Sequence, residues 1–305
     1  MTKKILTILF ISTVFTTFGQ INMADSTAQV VSYWEKGEKQ NYTVTTKKIK
    51  LKGTDTTSNE ITTYDVEITV LNQADKSYTI QWLYKNIKTN STNPTIQKLL
   101  NITTDMKVIF KTDELGAFME VVNWNEIKDY IQKATNSISK EFSAIPEMEK
   151  LLKQITATYS SKEAIESAGI KDIQQFHTFH GAKYKLGEVI EGQIKVPNIY
   201  GTEPFDSDFT IYLDEINETE NNFIMRATQN VNKEQLTNAT FDYLTKLANT
   251  LKITPPKRED LKDLKNEILT ASRIHGTGWV VYSVQTTTVT SDNVTNIEEL
   301  TIEIK

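Results

Sequence analysis

This 305-residue sequence contains no cysteine. A disulfide framework, a zinc ribbon, an iron–sulfur cluster and a cysteine nucleophile all need a thiolate, so these are excluded. Glycine and proline are scarce, at 11 and 6 residues, which argues against wholesale disorder. The formal net charge of −5 argues against a general nucleic-acid binder, because such a protein needs lysine and arginine to displace counterions from phosphate.

Long hydrophobic runs are also missing, apart from a short one at the start. Lys3 and Lys4 precede an apolar run over residues 5–18, and polar sequence follows it. This pattern is typical of a secretory signal peptide. The run is too short for a membrane span, which needs about 20 residues. We therefore predict a signal peptide over residues 1–19, cleavage near Gly19, and a secreted or periplasmic mature chain without a membrane-spanning segment.

The sequence after this segment alternates polar and apolar residues. The alternation predicts half-buried antiparallel strands, and the clearest runs cover residues 42–51, 64–70, 78–84, 106–110 and 117–122. Short turns separate several of these runs. We therefore predict an N-terminal β-rich unit, a meander, over residues 20–122.

The hydrophobic period changes to three and four residues at Trp124. An apolar stripe from Trp124 to Ile145 predicts an amphipathic helix that Pro146 ends or kinks. A second helix is predicted over residues 148–159. A capping signal at Ser160 and Ser161 predicts a third helix, which extends to Phe176. Together these form a helical insertion over residues 123–180.

The β pattern resumes after Gly181. It predicts strands over residues 208–213, 223–227, 268–274, 279–289 and 298–304, with a helix over residues 236–251. These elements form a C-terminal α+β unit over residues 181–305. The predicted fold class is α+β, with two antiparallel β-meander units, helices packed on the sheets and a helical insertion between the units. The similar order of elements in the two halves suggests a duplication, but unrelated meanders also look alike.

Three segments resemble a known family. They are FHTFHGAKY at residues 176–184, GTEPFD at residues 201–206 and FIMR at residues 223–226. They resemble uncharacterised secreted proteins of Bacteroidota, a likeness that covers most of the mature chain and implies no activity. The order of strands and helices is also similar to that of lipoprotein-carrier half-barrels. That resemblance implies an antiparallel sheet that curls around helices and holds an acyl chain.

His177 and His180 are the candidate metal ligands. They lie three residues apart near the end of the third predicted helix, so their rings share a face if the helix continues. A metal would need a third ligand, for which Asp172 and His275 are candidates. The structural alternative is that both histidines cap the helix and fill a seam between domains. We favour this alternative and predict no bound metal.

Signatures of catalysis and of cofactor binding are missing from the sequence. It has three histidines and no Gly-x-Ser-x-Gly elbow, Walker loop or Rossmann fingerprint. Among 39 acidic residues some pair always suits a glycosidase, so that pattern carries no information. We predict no catalytic residue and no cofactor. A hydrolase stays open as an alternative, and would need His177, His180 or His275 to meet a carboxylate and a hydroxyl in one cleft.

Tryptophans and lysines have structural interpretations. Trp34, Trp82, Trp124 and Trp279 are expected in the core, because large aromatic side chains are mostly buried. Lysines recur along residues 47–52, on a predicted strand. We expect them to protect an exposed sheet edge from aggregation.

The sequence favours an exported protein without catalytic activity. Our first hypothesis is a binding module that holds an apolar or amphipathic small molecule between sheet and helix, in the cell envelope. The alternative is a structural or protein-interaction module of the envelope, which acts through a sheet edge or groove. The expected partners are therefore an apolar small molecule or an envelope protein, and not nucleic acid.

Overall fold

The structure is a computed structural model that describes residues 20–142, 146–198, 203–261 and 263–305. The signal peptide predicted over residues 1–19 lies outside the described residues. No helix within the described ranges is long and apolar enough to cross a membrane.

Period-two alternation forms the strands of the first half. They are β1 (Ile21–Asn22), β2 (Thr27–Gln29), β3 (Lys39–Lys52), β4 (Asp55–Ala74), β5 (Ser77–Thr89), β6 (Lys107–Asp113) and β7 (Phe118–Val121). From β3 to β7 each strand pairs antiparallel with the next, which confirms the predicted meander. On β5 the even-numbered residues from Tyr78 to Tyr84 are buried, because alternate side chains point to one face of a sheet.

One short helix lies within the first half, between β5 and β6, and the helices from Trp124 onward follow the predicted change of period. They are α1 (Pro94–Leu100), α2 (Trp124–Glu141), α3 (Pro146–Thr158), α4 (Lys162–Ala164) and α5 (Lys171–His177), with a π-helical turn (Ile165–Gly169) between the last two. The first of these begins at Pro94, and its N-cap Asn93 accepts a hydrogen bond from the backbone N–H of Thr95.

The second half adds seven strands and one helix. They are β8 (Lys183–Lys185), β9 (Val189–Val196), β10 (Phe205–Asn217), β11 (Asn222–Val231), α6 (Lys233–Leu251), β12 (Lys265–His275), β13 (Val280–Ser291) and β14 (Val294–Ile304). Strands β9 to β14 pair antiparallel in chain order.

The two meanders form one antiparallel sheet of eleven strands, in the order β7-β6-β5-β4-β3-β14-β13-β12-β11-β10-β9. They join where β14 pairs with β3, from Val294 opposite Lys52 to Ile304 opposite Tyr42. The fold is therefore mixed α+β with a large antiparallel sheet. Each half places a helix between two adjacent strands, α1 after β5 and α6 after β11. The duplication and the domain boundaries stay predictions.

Residues 20–38 were not assigned any strand from the sequence, and they lie against both halves. Strand β2 pairs with β1 and β8 in a second, three-stranded sheet. After β2, the backbone N–H of Ser32 donates a hydrogen bond to the Leu115 carbonyl oxygen, and the backbone N–H of Tyr33 donates one to the Thr277 carbonyl oxygen. Trp34 stacks on Trp279 with ring centroids 4.3 Å apart. This segment therefore connects turns from the two halves.

One hydrophobic core underlies the sheet on the face that carries the helices, which we call the inner face. Ile127 of α2 is buried in this core, and Phe176 of α5 contacts Trp82 of the first half and Trp279 of the second. Trp34, Trp82 and Trp279 are buried and Trp124 is half-buried against this core, as predicted. A smaller core under α6 consists of Phe205, Val231, Leu236 and Leu264.

Two expectations are wrong. The lysines of residues 47–52 do not protect an edge, because β3 pairs with β4 on one side and with β14 on the other. The edges of the large sheet are β7 and β9. The third predicted helix is interrupted at Ile170, whose φ of −132° and ψ of 40° are not helical. Helix α5 then ends at His177, so His180 lies outside it.

Candidate functional site

A cleft of about 560 Å³ opens between the inner face of the sheet and the helical segment. Strands β3, β4, β5 and β14 supply one wall, and α1, Tyr159 after α3, the π-helical turn and the start of α5 supply the other. We call this space the cleft. It is the kind of concave site between sheet and helix in which small molecules bind.

Strand register brings the sheet side of the cleft together. Thr46 on β3 lies opposite Thr62 on β4 and opposite Leu300 on β14. Tyr64 and Tyr84 follow on the same face of β4 and β5. Because alternate residues share a face, the same pattern that forms the strands also aims these side chains at the cleft.

The cleft has an apolar wall and a polar inner end. Ile87, Ile96 and Leu100 supply apolar surface, and Met106 and Leu300 are buried beneath it. The other deeply buried lining residues, Tyr84 and Asp172, carry side-chain oxygen atoms. The cleft therefore suits a molecule with both an apolar and a polar part.

Asp172 lies at the inner end and is only 4% exposed. The Tyr64 hydroxyl donates to its Oδ2 at 3.0 Å, and the Tyr84 hydroxyl donates to its Oδ1 at 3.0 Å. The backbone N–H of Ile173 also donates to Oδ1, at 3.0 Å. A buried carboxyl group requires such partners, because its desolvation is otherwise strongly unfavourable.

Burial controls the protonation of this cluster. It raises the pKa of Asp172, although the hydrogen bonds from Tyr64 and Tyr84 act in the opposite direction. Burial and the nearby carboxylate raise the pKa of both tyrosines well above the usual value. Burial, with the same carboxylate, raises the pKa of Tyr159 to about 12. The three phenols therefore keep their protons at neutral pH and serve as hydrogen-bond donors.

The mouth of the cleft carries charges of both signs. Lys48 on β3 lies opposite Glu60 on β4 and Glu298 on β14. Lys171 approaches Glu298 with Nζ and Oε1 3.7 Å apart. Glu298 is half-buried and the other three side chains are exposed, so solvent screens much of their interaction and the mouth has no strong preference for one sign of charge.

The candidate metal ligands His177 and His180 lie outside the cleft, against Trp34. Nδ1 of His177 is 2.8 Å from the Gly116 carbonyl oxygen, and Nε2 of His180 is 2.9 Å from that of Gly278. Because a carbonyl oxygen only accepts, each of these ring nitrogens carries a proton. The two histidines thus connect turns of the two halves.

The possible third ligands are not available to the histidine pair. Asp172 binds the two tyrosines, and Nδ1 of His275 is 2.9 Å from the Thr277 hydroxyl. Among the described residues no three histidine, aspartate or glutamate side chains are placed to hold a metal ion. None of the three histidines lines the cleft, as a histidine-based hydrolase there would require.

Sequence reasoning named Asp172 only as a possible metal ligand and missed the tyrosine cluster. One signal was present, because Asp172 lies four residues before Phe176 and therefore on the same, apolar face of the helix. A carboxyl group on such a face indicates a buried polar site. Tyr64 and Tyr84 carried a similar signal as hydroxyl-bearing residues at buried strand positions.

No protein-family model and no curated protein matches this chain, so the resemblance to secreted proteins of Bacteroidota stays a prediction. A solved structure of lipovitellin, concerned with lipid–protein interactions, is similar to 89% of the chain with a TM-score of 0.42 and 9% identity. The match covers 25% of the lipovitellin chain, so this protein spans about a quarter of its length. A likeness of this size says nothing about ligand or activity.

Proposed function

We propose that this chain binds one amphipathic small molecule in the cleft. The observation that carries the proposal is the cleft itself, about 560 Å³ of space with an apolar wall and a buried polar inner end. Binding sites for small molecules combine predominantly apolar lining with a few placed polar groups. The apolar part of the ligand would lie along Ile87, Ile96 and Leu100, and its polar part would reach Asp172.

Two neighbouring threonines of β4 allow a matched test. Thr62 lines the cleft, whereas Thr63 lies opposite Thr45 on the other face of the sheet. Thr62→Trp fills the cleft, and Thr63→Trp adds the same ring to the opposite face. We expect saturable one-to-one binding of the neutral probe N-phenyl-1-naphthylamine by the unmodified chain, measured by fluorescence titration. Thr62→Trp is expected to weaken it by at least about tenfold.

The control Thr63→Trp is expected to keep the affinity of the unmodified chain. Equal weakening by both substitutions would place the probe elsewhere. Absence of saturable binding for neutral, cationic and anionic amphiphiles alike would end the proposal.

A second candidate, recognition of another protein at a sheet edge, is favoured by β9. Val189, Ile190 and Ile194 are 56%, 45% and 40% exposed on this edge strand. An exposed apolar edge can pair with a strand of another chain. Ile190→Lys would impair this function and leave the cleft intact, while Thr62→Trp would do the reverse.

We also propose that the protein works in the cell envelope or outside the cell. The support is Lys3, Lys4 and the apolar run over residues 5–18, which are typical of a secretory signal peptide.

A further inference from the structure

The carboxyl group at the inner end of the cleft has one acceptor position left. An ionised carboxylate offers about four lone-pair positions, two on each oxygen. Oδ1 of Asp172 accepts from Tyr84 and from the N–H of Ile173, whereas Oδ2 accepts only from Tyr64. Asp172 also lines the cleft. Oδ2 therefore has capacity for one further donor, which a ligand in the cleft would supply without displacing a protein group.

Three tyrosines line the cleft together with this carboxyl group. The rings of Tyr64 and Tyr84 have centroids 5.6 Å apart and planes at 47°. Tyr159 lines the same end of the cleft, and its hydroxyl donates to the Gly169 carbonyl oxygen at 3.4 Å. A Cβ at Gly169 would come within 3.0 Å of the Tyr159 ring, so glycine permits this close approach. Aromatic faces attract cations, and more strongly away from water.

Among the described residues no cationic side chain forms an ion pair with Asp172. Lys171, the next residue, pairs with Glu298 at the mouth. An ionised carboxylate without a counter-charge is unfavourable in a buried site, and a paired, hydrogen-bonded one is much less so. A positively charged ligand would supply the missing partner, while an anionic ligand would meet repulsion.

We infer that the cleft selects a cationic amphiphile, with an ammonium group on Asp172 among the three tyrosine rings and an alkyl chain along the apolar wall. This inference rests on the proposed function and names the chemical class of its ligand. The ammonium donates to Oδ2 and lies near the rings. The alkyl chain extends past Leu100 and Ile96 towards the mouth.

Three probes of equal chain length test the inference with the full chain. They are n-decylamine, which is an ammonium ion at neutral pH, n-decanol and decanoate. Isothermal titration calorimetry is expected to show decylammonium binding at least about tenfold more tightly than decanol, and decanoate more weakly than both. Asp172→Asn should remove the preference for decylammonium over decanol.

Two further variants guard against an unfolded Asp172→Asn protein and against an effect of general charge. Tyr159→Leu removes one ring at a half-buried position. It should lower the affinity for decylammonium by about threefold to tenfold and leave the affinity for decanol unchanged. Glu299→Gln removes a carboxylate on the opposite face of β14, where it lies opposite Lys47, and should leave the affinity for both probes within about twofold.

The outcomes separate the inference from the proposed function. If decanol binds as tightly as decylammonium and Thr62→Trp blocks both, the inference is wrong and the proposed function stands. If Glu299→Gln weakens the binding of decylammonium as much as the variants of the inner end do, the effect is one of general charge and the inference is wrong. If none of the three probes binds, both are wrong.

Discussion

Gly278 packs against the segment of residues 20–38 so closely that no side chain fits between them. Its φ is +86°, in the left-handed region that favours glycine. A Cβ at this position would lie 2.3 Å from the carbonyl oxygen of Val31 and 3.0 Å from the Cα of Ser32. Both atoms belong to backbone, which cannot rotate away as the end of a side chain can.

Gly278→Ala is therefore expected to destabilise the protein by more than the cost of a left-handed φ alone, because the added Cβ also clashes with backbone atoms. Gly37 is a matched control, because its φ of +89° is similar and nothing lies within 4 Å of its added Cβ. We expect Gly37→Ala to lower the free energy of unfolding by about 1 kcal/mol, and Gly278→Ala by at least about 2 kcal/mol more. Urea denaturation measures both, and equal effects would show that the segment at Val31 moves aside.

The strands predicted over residues 268–274 and 279–289 place Gly278 in the connection between them, but the sequence did not indicate this contact. Glycines in turns are recognisable from their neighbours, whereas contact with a segment some 250 positions away depends on tertiary packing. The same reason explains why residues 20–38 received no predicted strand. Trp34 was predicted to be buried from its size alone, and nothing in its surroundings indicated Trp279 as its partner.

At the scale of elements, helix α5 is held on the sheet by a buried amide. Nε2 of Gln175 donates to the Ser283 hydroxyl at 2.9 Å and to the Leu300 carbonyl oxygen at 3.0 Å. These acceptors lie on β13 and β14. The amide thus connects the short helix that carries Asp172 to the central strands of the sheet.

Gln175→Ala is expected to lower the free energy of unfolding by about 1–3 kcal/mol, because it removes two buried hydrogen bonds between helix α5 and the sheet. Gln174→Ala on the exposed side of α5 is the control and should change stability by less than about 0.5 kcal/mol. Thermal denaturation followed by circular dichroism compares the two. If both variants melt together with the unmodified chain, Gln175 does not hold the helix on the sheet.

The sequence predicted most elements but not how they are placed. Strands around Tyr42, Tyr64 and Tyr78 were predicted correctly, because alternation of polar and apolar residues is a local property. The position of β3 inside the sheet could not be predicted, since its second partner, β14, is at the other end of the chain. The lining of the cleft could not be predicted for the same reason. It is formed by strands from both halves and by the segment around Ile170, where the predicted helix is interrupted.

At the scale of the whole molecule, His177 and His180 make stability depend on pH. Burial lowers the pKa of His177 well below its usual value and that of His180 from 6.5 to about 4. The unfolded chain therefore takes up protons at higher pH than the folded one, and stability falls as pH drops through this window. Asp172 acts in the opposite sense, because its folded pKa is raised and acidification favours the folded state.

We expect the free energy of unfolding to fall between pH 6.5 and pH 4, by roughly 3 kcal/mol from His180 alone. His180→Gln keeps a donor for the Gly278 carbonyl oxygen and should flatten this fall. Asp172→Asn should steepen it, because the opposing contribution is removed. Urea denaturation at several pH values, followed by tryptophan fluorescence and circular dichroism, measures all three proteins.

If His180→Gln leaves the pH profile of stability unchanged, His180 is not the cause of the fall at low pH. The two signals also report on cooperativity, because the tryptophans lie in the core shared by both halves. Coincident transitions are expected if that core unfolds as one unit.

The pairing of β14 with β3 also bears on how fast the protein folds. The partners in this ladder are roughly 250 positions apart along the chain, and such distant contacts form slowly because a long loop must close first. Until that happens, two long strands in the middle of the future sheet each lack a neighbour. Slow folding, with a period in which the chain is prone to associate with other copies, is the kinetic consequence of this topology.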